Sequence, residues 1–141
     1  MTQTPVQRRL VRLAGAMNAK AVRLGVPGRV TAAELAQIQL DSEDLCNYCG
    51  IAVPVDAGSF DHVVPYKLGG SNRPDNIVRC CSTCNRTKGW RKDPAQLAAY
   101  QKLRVTCPVD GTVFRPRWSD WVRGLGKYCS RRCAGYVGGR T

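Results

Sequence analysis

Asp61 and His62 stand side by side in GSFDHVVPYK, residues 58 to 67, and His62 is the only histidine of the chain. A neutral imidazole titrates near working pH and can take a proton from water, so one histidine suffices for a general base. It cannot build a zinc site alone. The adjoining carboxylate is a hard oxygen donor of the kind a divalent cation prefers. An ordinary salt-bridged pair is the bland reading of the same two residues.

The second reactive set is sulfur. Of eight cysteines, Cys46 and Cys49 form one C-x-x-C pair and Cys81 and Cys84 form another, with Asp61 and His62 between them. One such pair alone could be a redox motif. Two pairs offer four thiolates, the donor set that tetrahedral structural zinc prefers. Four disulfides would suit an oxidising compartment instead, but no export signal supports one. Cys80 breaks the pair spacing and reads as a buried apolar thiol on a strand.

These residues need elements to hold them. PVQRRLVRLAGAMNAKAVRL, residues 5 to 24, places Leu10, Leu13, Met17, Ala21 and Leu24 at helical spacing, and GVPG breaks it. TAAE, residues 31 to 34, reads as a capping box for a second helix ending between Asp41 and Asp44. SFDHVVP and NIVRC have the β-branched character of short strands, with a Gly, Asn and Pro-containing loop between them. STCNRTKGW reads as a short helix ended by Gly89. DPAQLAAYQKL, residues 93 to 103, is a further helix with Asp93 as N-cap and Pro94 in its first turn. Neither an internal repeat nor a low-complexity tail is visible.

Length points to one compact domain, and the cysteine pattern to two small modules within it. No apolar run is long enough to cross a membrane. Basic residues near the N-terminus are not followed by an apolar stretch with a cleavage site, so a cytoplasmic location is expected. The formal net charge is +12. The chain stays strongly positive even after two zinc ions and seven thiolates are counted. Such a surface attracts polyanions, with nucleic acid first among them, or is simply well solvated.

CNYCG…FDHVVPYKLGGSNRPDNIVRCCSTCNRTKG closely resembles an HNH endonuclease of the zinc-knuckle, ββα-metal kind, over about residues 46 to 89. The resemblance implies a small zinc-stabilised α+β fold with a treble-clef-like nuclease core. Three parts follow: a basic helical region over 1–45, the nuclease core over 46–105, and a small module over 106–141. It further implies His62 as the base, and Asp61 and Asn85 as holders of a catalytic Mg²⁺ or Mn²⁺. Asn76 would brace the loop that carries the histidine, and Lys88 would meet a phosphate. The family's last histidine is Asn85 here. Double-stranded DNA is the implied substrate, and a phage or mobile element the implied source.

CPVDGTVF with KYCSRRC resembles a small treble-clef zinc finger in which Cys107, Cys129 and Cys133 match and Asp110 replaces the second knuckle cysteine. Either these four hold a second zinc, or a three-cysteine site stands empty and Asp110 is a turn residue before Gly111. Around them Arg115, Arg117, Trp118, Trp121, Arg123, Lys127, Arg131 and Arg132 could bind phosphates and stack on bases. The aromatics could equally form the module's own core. A non-catalytic zinc module that binds nucleic acid or protein is the competing function. It has no use for Asp61, His62 and Asn85 together, and a thiol redox protein does not explain them either.

Overall fold

The computed structural model describes residues 2–88 and 93–138, without the side chains of 88 and 136–138. Helix α1 spans Pro5–Leu24. Thr4 caps it through a reciprocal box with Gln7, and Gly25 ends it in the left-handed region at φ 69°. Leu10, Ala14 and Ala21 are its buried residues. Leu24, counted above on the apolar stripe, is 54% exposed beside the Gly25 cap. Helix α2, Ala32–Asp41, starts from the Thr31–Glu34 box the sequence announces.

Strands β1, Ser59–His62, and β2, Ile77–Cys80, pair antiparallel with His62 opposite Ile77 and Asp61 opposite Val78. Helix α3, Ser82–Lys88, follows at once and packs against β1. Cross-strand partners share a face and successive residues alternate. Phe60 and Ile77 therefore pack on one side with Leu10 and Ala14 of α1, Val30 of the connection and Leu35 of α2. Val78 and Cys80 face the other side, where they join Cys46, Tyr48, Leu97, Tyr100 and Trp118. The hairpin is the partition between two small cores.

Helix α4, Pro94–Lys102, is capped by Asp93 as its sequence requires. It delivers Leu97 and Tyr100, both fully buried, to the second core. Beyond it come β3, Val105–Thr106, paired with β4, Val113–Phe114. Two short helices follow, α5 at Trp118–Trp121 and α6 at Arg131–Gly138. Trp118 settles edge-on against Tyr100 at 5.1 Å and against Trp121 at 5.3 Å. It fills the core behind β2, so its ring is not a platform for bases.

Four of the surrounding cations also have partners within the chain. Arg117 and Arg131 pair with Glu43 at 3.0 and 3.3 Å, Arg123 pairs with Asp120 at 3.1 Å, and Arg115 donates to the carbonyls of Asp75 and Gln101. Among the described residues no helix is long and apolar enough to cross a membrane.

Candidate active site and metal centres

Two of the predicted metal-binding groups are assembled by different elements with one backbone device. At Cys46 the amide donates to Ile51 O and Gly50 N–H returns to Cys46 O. At Cys107 the amide donates to Thr112 O and Gly111 N–H returns to Cys107 O. Both glycines take positive φ, 80° and 76°, which the tight turn needs. Asp110 therefore occupies in the second knuckle the place of Cys49 in the first.

The sulfurs of Cys46, Cys49, Cys81 and Cys84 lie within 4.8 Å of one another, with Cys49 and Cys81 3.9 Å apart. A tetrahedron of zinc–sulfur bonds of about 2.3 Å has edges of about 3.8 Å, so the four fit a zinc ion. Burial pushes the Cys46 thiol up, but N–H groups from Cys49, Cys81 and Tyr48 outweigh it and bring the thiol down to about 7. Burial and the neighbouring sulfurs push Cys84 far up instead. A bound dication removes that conflict, because it favours all four thiolates at once. Cys80 points away into the core and is fully buried.

Cys107, Asp110, Cys129 and Cys133 are brought together within the same 4.8 Å. Asp110 Oδ2 lies 3.3 Å from Cys129 Sγ and 3.4 Å from Cys133 Sγ. The Thr112 N–H and hydroxyl hold its carboxyl far below the usual range, while burial and its neighbours push Cys129 up to about 12. Asp110 is thus both a turn residue and a member of the cluster. A carboxylate completing three thiolates is an acceptable, harder zinc set.

Asp61 and His62 leave β1 on opposite faces. Tyr48, held between the knuckle cysteines, donates its hydroxyl to Asp61 Oδ2 at 2.6 Å. Burial first, then the Asp61 charge, keeps the Tyr48 phenol protonated well above its ordinary range, so it remains the donor. His62 points towards the N-terminal helices, with Nε2 2.9 Å from Asn72 Oδ1 and 3.1 Å from the Tyr66 hydroxyl.

Asn76 precedes β2 in a short 3₁₀ turn, Pro74–Asn76, and is almost fully buried. Its Oδ1 accepts from Val64 N–H, and its Nδ2 donates to Val64 O and Ser71 O. The side chain thus ties together both ends of the loop that follows His62. Gly70 sits in that loop where an added Cβ would come 1.7 Å from Val64 O. Only glycine allows the loop to close this far.

Residues 46–100 match the HNH endonuclease family. This match supports an HNH endonuclease region within the chain. It is 31% identical over 124 residues to the CRISPR-associated endonuclease Cas9 of Corynebacterium diphtheriae, covering 86% of this chain and 11% of that protein. It is 39% identical over 56 residues to the protein of the same name from Actinomyces naeslundii, covering 36% of this chain and 5% of that one. The chain thus spans about a tenth or less of the length of these relatives. The crystal structure of the Type II-C Cas9 enzyme from Actinomyces naeslundii aligns with 58% of this chain and 10% of its own, at 30% identity and a TM-score of 0.34.

Within this HNH region, Asn85 stands exposed on α3, with its N–H donating to Cys81 O. Lys88 closes α3, and its side chain lies outside the described residues, as does Gly89. Tyr48, Tyr66, Asn72 and Asn18 escaped the sequence reading. One signal was available. Asn18 is a lone amide at the helical spacing of Leu10, Ala14 and Ala21, on a face that is otherwise apolar.

Proposed function

We propose that the chain is a metal-dependent endonuclease that hydrolyses DNA phosphodiester bonds on a ββα-metal core formed by β1, β2 and α3. The observation carrying this reading is the placement of Asp61 and His62 at the end of β1, with Asn85 on the helix packed against that strand. His62 acts as general base towards water. Asp61 and Asn85 would hold a Mg²⁺ or Mn²⁺ ion, and the oxygen donors they offer suit a hard cation. When bound, that ion supplies positive charge to the phosphate and its leaving oxygen.

The protein's own contribution is positioning. Tyr48 fixes the Asp61 carboxylate, and Asn76 fixes the backbone after His62, so neither has to search for its place. Lys88 is assigned to a substrate phosphate. Zinc in the two cysteine clusters is structural, and the basic surface that the +12 charge provides draws the polyanion in. Residues 1–45 and 106–141 flank the nuclease core over 46–105 as supporting regions.

Purified protein incubated with supercoiled plasmid and Mg²⁺, Mn²⁺ or EDTA tests this. Nicked or linear product is expected with metal only. His62→Ala should lower the rate by at least about a thousandfold while retaining DNA binding by gel shift. Cutting at the wild-type rate by that variant would remove His62 from its role. Binding without any cutting by the wild type would leave a zinc-dependent DNA-binding module.

A further inference from the structure

Two buried amides connect α1 to the ring of His62, and their orientations are dictated from the backbone outward. Val30 donates its N–H to Asn18 Oδ1 at 2.9 Å, and its carbonyl accepts from Asn18 Nδ2 at 2.8 Å. A peptide N–H can only donate and a carbonyl can only accept, so the Asn18 amide has one possible orientation. Asn72 lies 3.0 Å from that same Asn18 Oδ1, and the atom it presents must be a donor, Nδ2. Its other end is therefore oxygen. That oxygen is 2.9 Å from His62 Nε2.

An amide oxygen accepts and never donates, so Nε2 must carry the ring hydrogen. The Tyr66 hydroxyl, 3.1 Å from the same nitrogen, would be the natural donor to it in the opposite tautomer. That hydroxyl can equally accept from Nε2–H, so it fits either ring, and the amide chain anchored on Val30 decides between them. We infer that Asn72 and Asn18 are positioning residues that lock His62 in its Nε2–H tautomer, so that the lone pair remains on Nδ1 for proton transfer from water. Asn72 is fully buried, so bulk water does not compete for its oxygen. Asp61 does not share this task, because its carboxylate is engaged by Tyr48 on the other face of the strand.

This relay explains what the N-terminal helix adds to a site it does not line. Asn18 never touches His62, yet its acceptor oxygen sets the direction of Asn72. In the better-known enzyme arrangement a carboxylate orients the imidazole, and a wrong tautomer there lowers turnover by about 10⁴-fold. Here two neutral amides perform the orientation, so the ring is aligned without a second negative charge beside the catalytic metal's ligands.

The consequence for turnover rests on the reading of His62 as the base, whereas the tautomer can be observed without any activity. As the only histidine, His62 gives one set of ring signals in ¹⁵N–¹H correlation spectra, recorded where the ring is neutral. The wild type is expected to show the Nε2–H form alone. Asn72→Leu removes the acceptor that selects this form and leaves a Tyr66 hydroxyl able to donate as well as to accept, so the Nδ1–H form should appear beside the Nε2–H form. Asn18→Ala should give a mixture.

In plasmid cleavage, Asn72→Leu should lower kcat about tenfold or more while changing the KM for DNA less than about twofold. A wild-type ring in the Nδ1–H form, or as a mixture, would overturn the inference, and needs no variant to fold. So would an Asn72→Leu ring indistinguishable from wild type. A pure Nε2–H ring in a protein that never cuts DNA would uphold the relay and refute the nuclease reading instead.

Discussion

The knuckles at Cys46 and Cys107 share one backbone turn, yet they stand in different surroundings. The first is set into a core: Cys46 and Tyr48 are buried with Val53, Val63, Val78, Leu97, Tyr100 and Trp118. Asn47 N–H donates to Arg79 O, so the knuckle is also hydrogen-bonded to β2. The second rests on a strand pair of two residues each and on a terminal helix, and is fastened by Glu43 to Arg117 and Arg131. Its aromatic residues have gone elsewhere, since Trp118 serves the first core. A turn of fixed geometry can thus either complete a hydrophobic core or take the place of one. The ligands differ accordingly, with four sulfurs in the first and an exposed carboxylate among three sulfurs in the second.

The sharpest way to break this comparison is Cys81→Ser. Structural zinc contributes on the order of 10 kcal/mol or more in small domains, which rivals the whole stability of a domain this size. The variant should lose its cooperative melt and its dispersed amide spectrum over residues 46–100. Cys80→Ser, one residue away, buries a hydroxyl and should cost only about 1–3 kcal/mol by chemical denaturation while zinc is kept. Equal behaviour of the two would mean the ligand set is wrongly chosen.

A gentler probe is Asp110→Cys, which makes the second cluster resemble the first. Metal analysis of the wild type should find two zinc ions per chain. The variant should retain the second at least about tenfold longer against a chelator, because thiolate is the softer donor. A wild-type count of one, rising to two in the variant, would show that the natural second site does not hold zinc. The smallest expected effect belongs to the tether. Glu43→Gln removes both ion pairs, which are partly exposed, and should lower stability by about 1 kcal/mol or less. A loss of several kcal/mol would mean that the second cluster supports the first after all.

Much of this plan could be read from residue order, wherever the controlling interactions are local. Helix α1 and the α2 cap follow from Thr, Pro, Glu and Gly at fixed offsets, and β2 from its β-branched run, whereas β1 stops at His62, before the valines that announced it. The four-cysteine cluster follows from paired spacing, because each knuckle is a local turn. What the sequence concealed is held by distant contacts. Asp61 is met by Tyr48, and His62 is linked to α1 through Asn72 and Asn18, whose bond spans 54 positions. Trp118 left two options open in the sequence, since an indole among arginines fits a base-stacking face as well as a core. Its burial behind β2 depends on where α4 sets Tyr100, which no local pattern encodes.

Asn76 has a consequence for when order is acquired. By bonding Val64 and Ser71, its side chain does for the loop after His62 what a third strand would do for a sheet. Fixing a residue's backbone costs about 1–2 kcal/mol in conformational entropy. For residues 64–76 that cost is met while the chain folds, ahead of any encounter. A loop braced in this way leaves less conformational entropy to be lost should a molecule bind beside it.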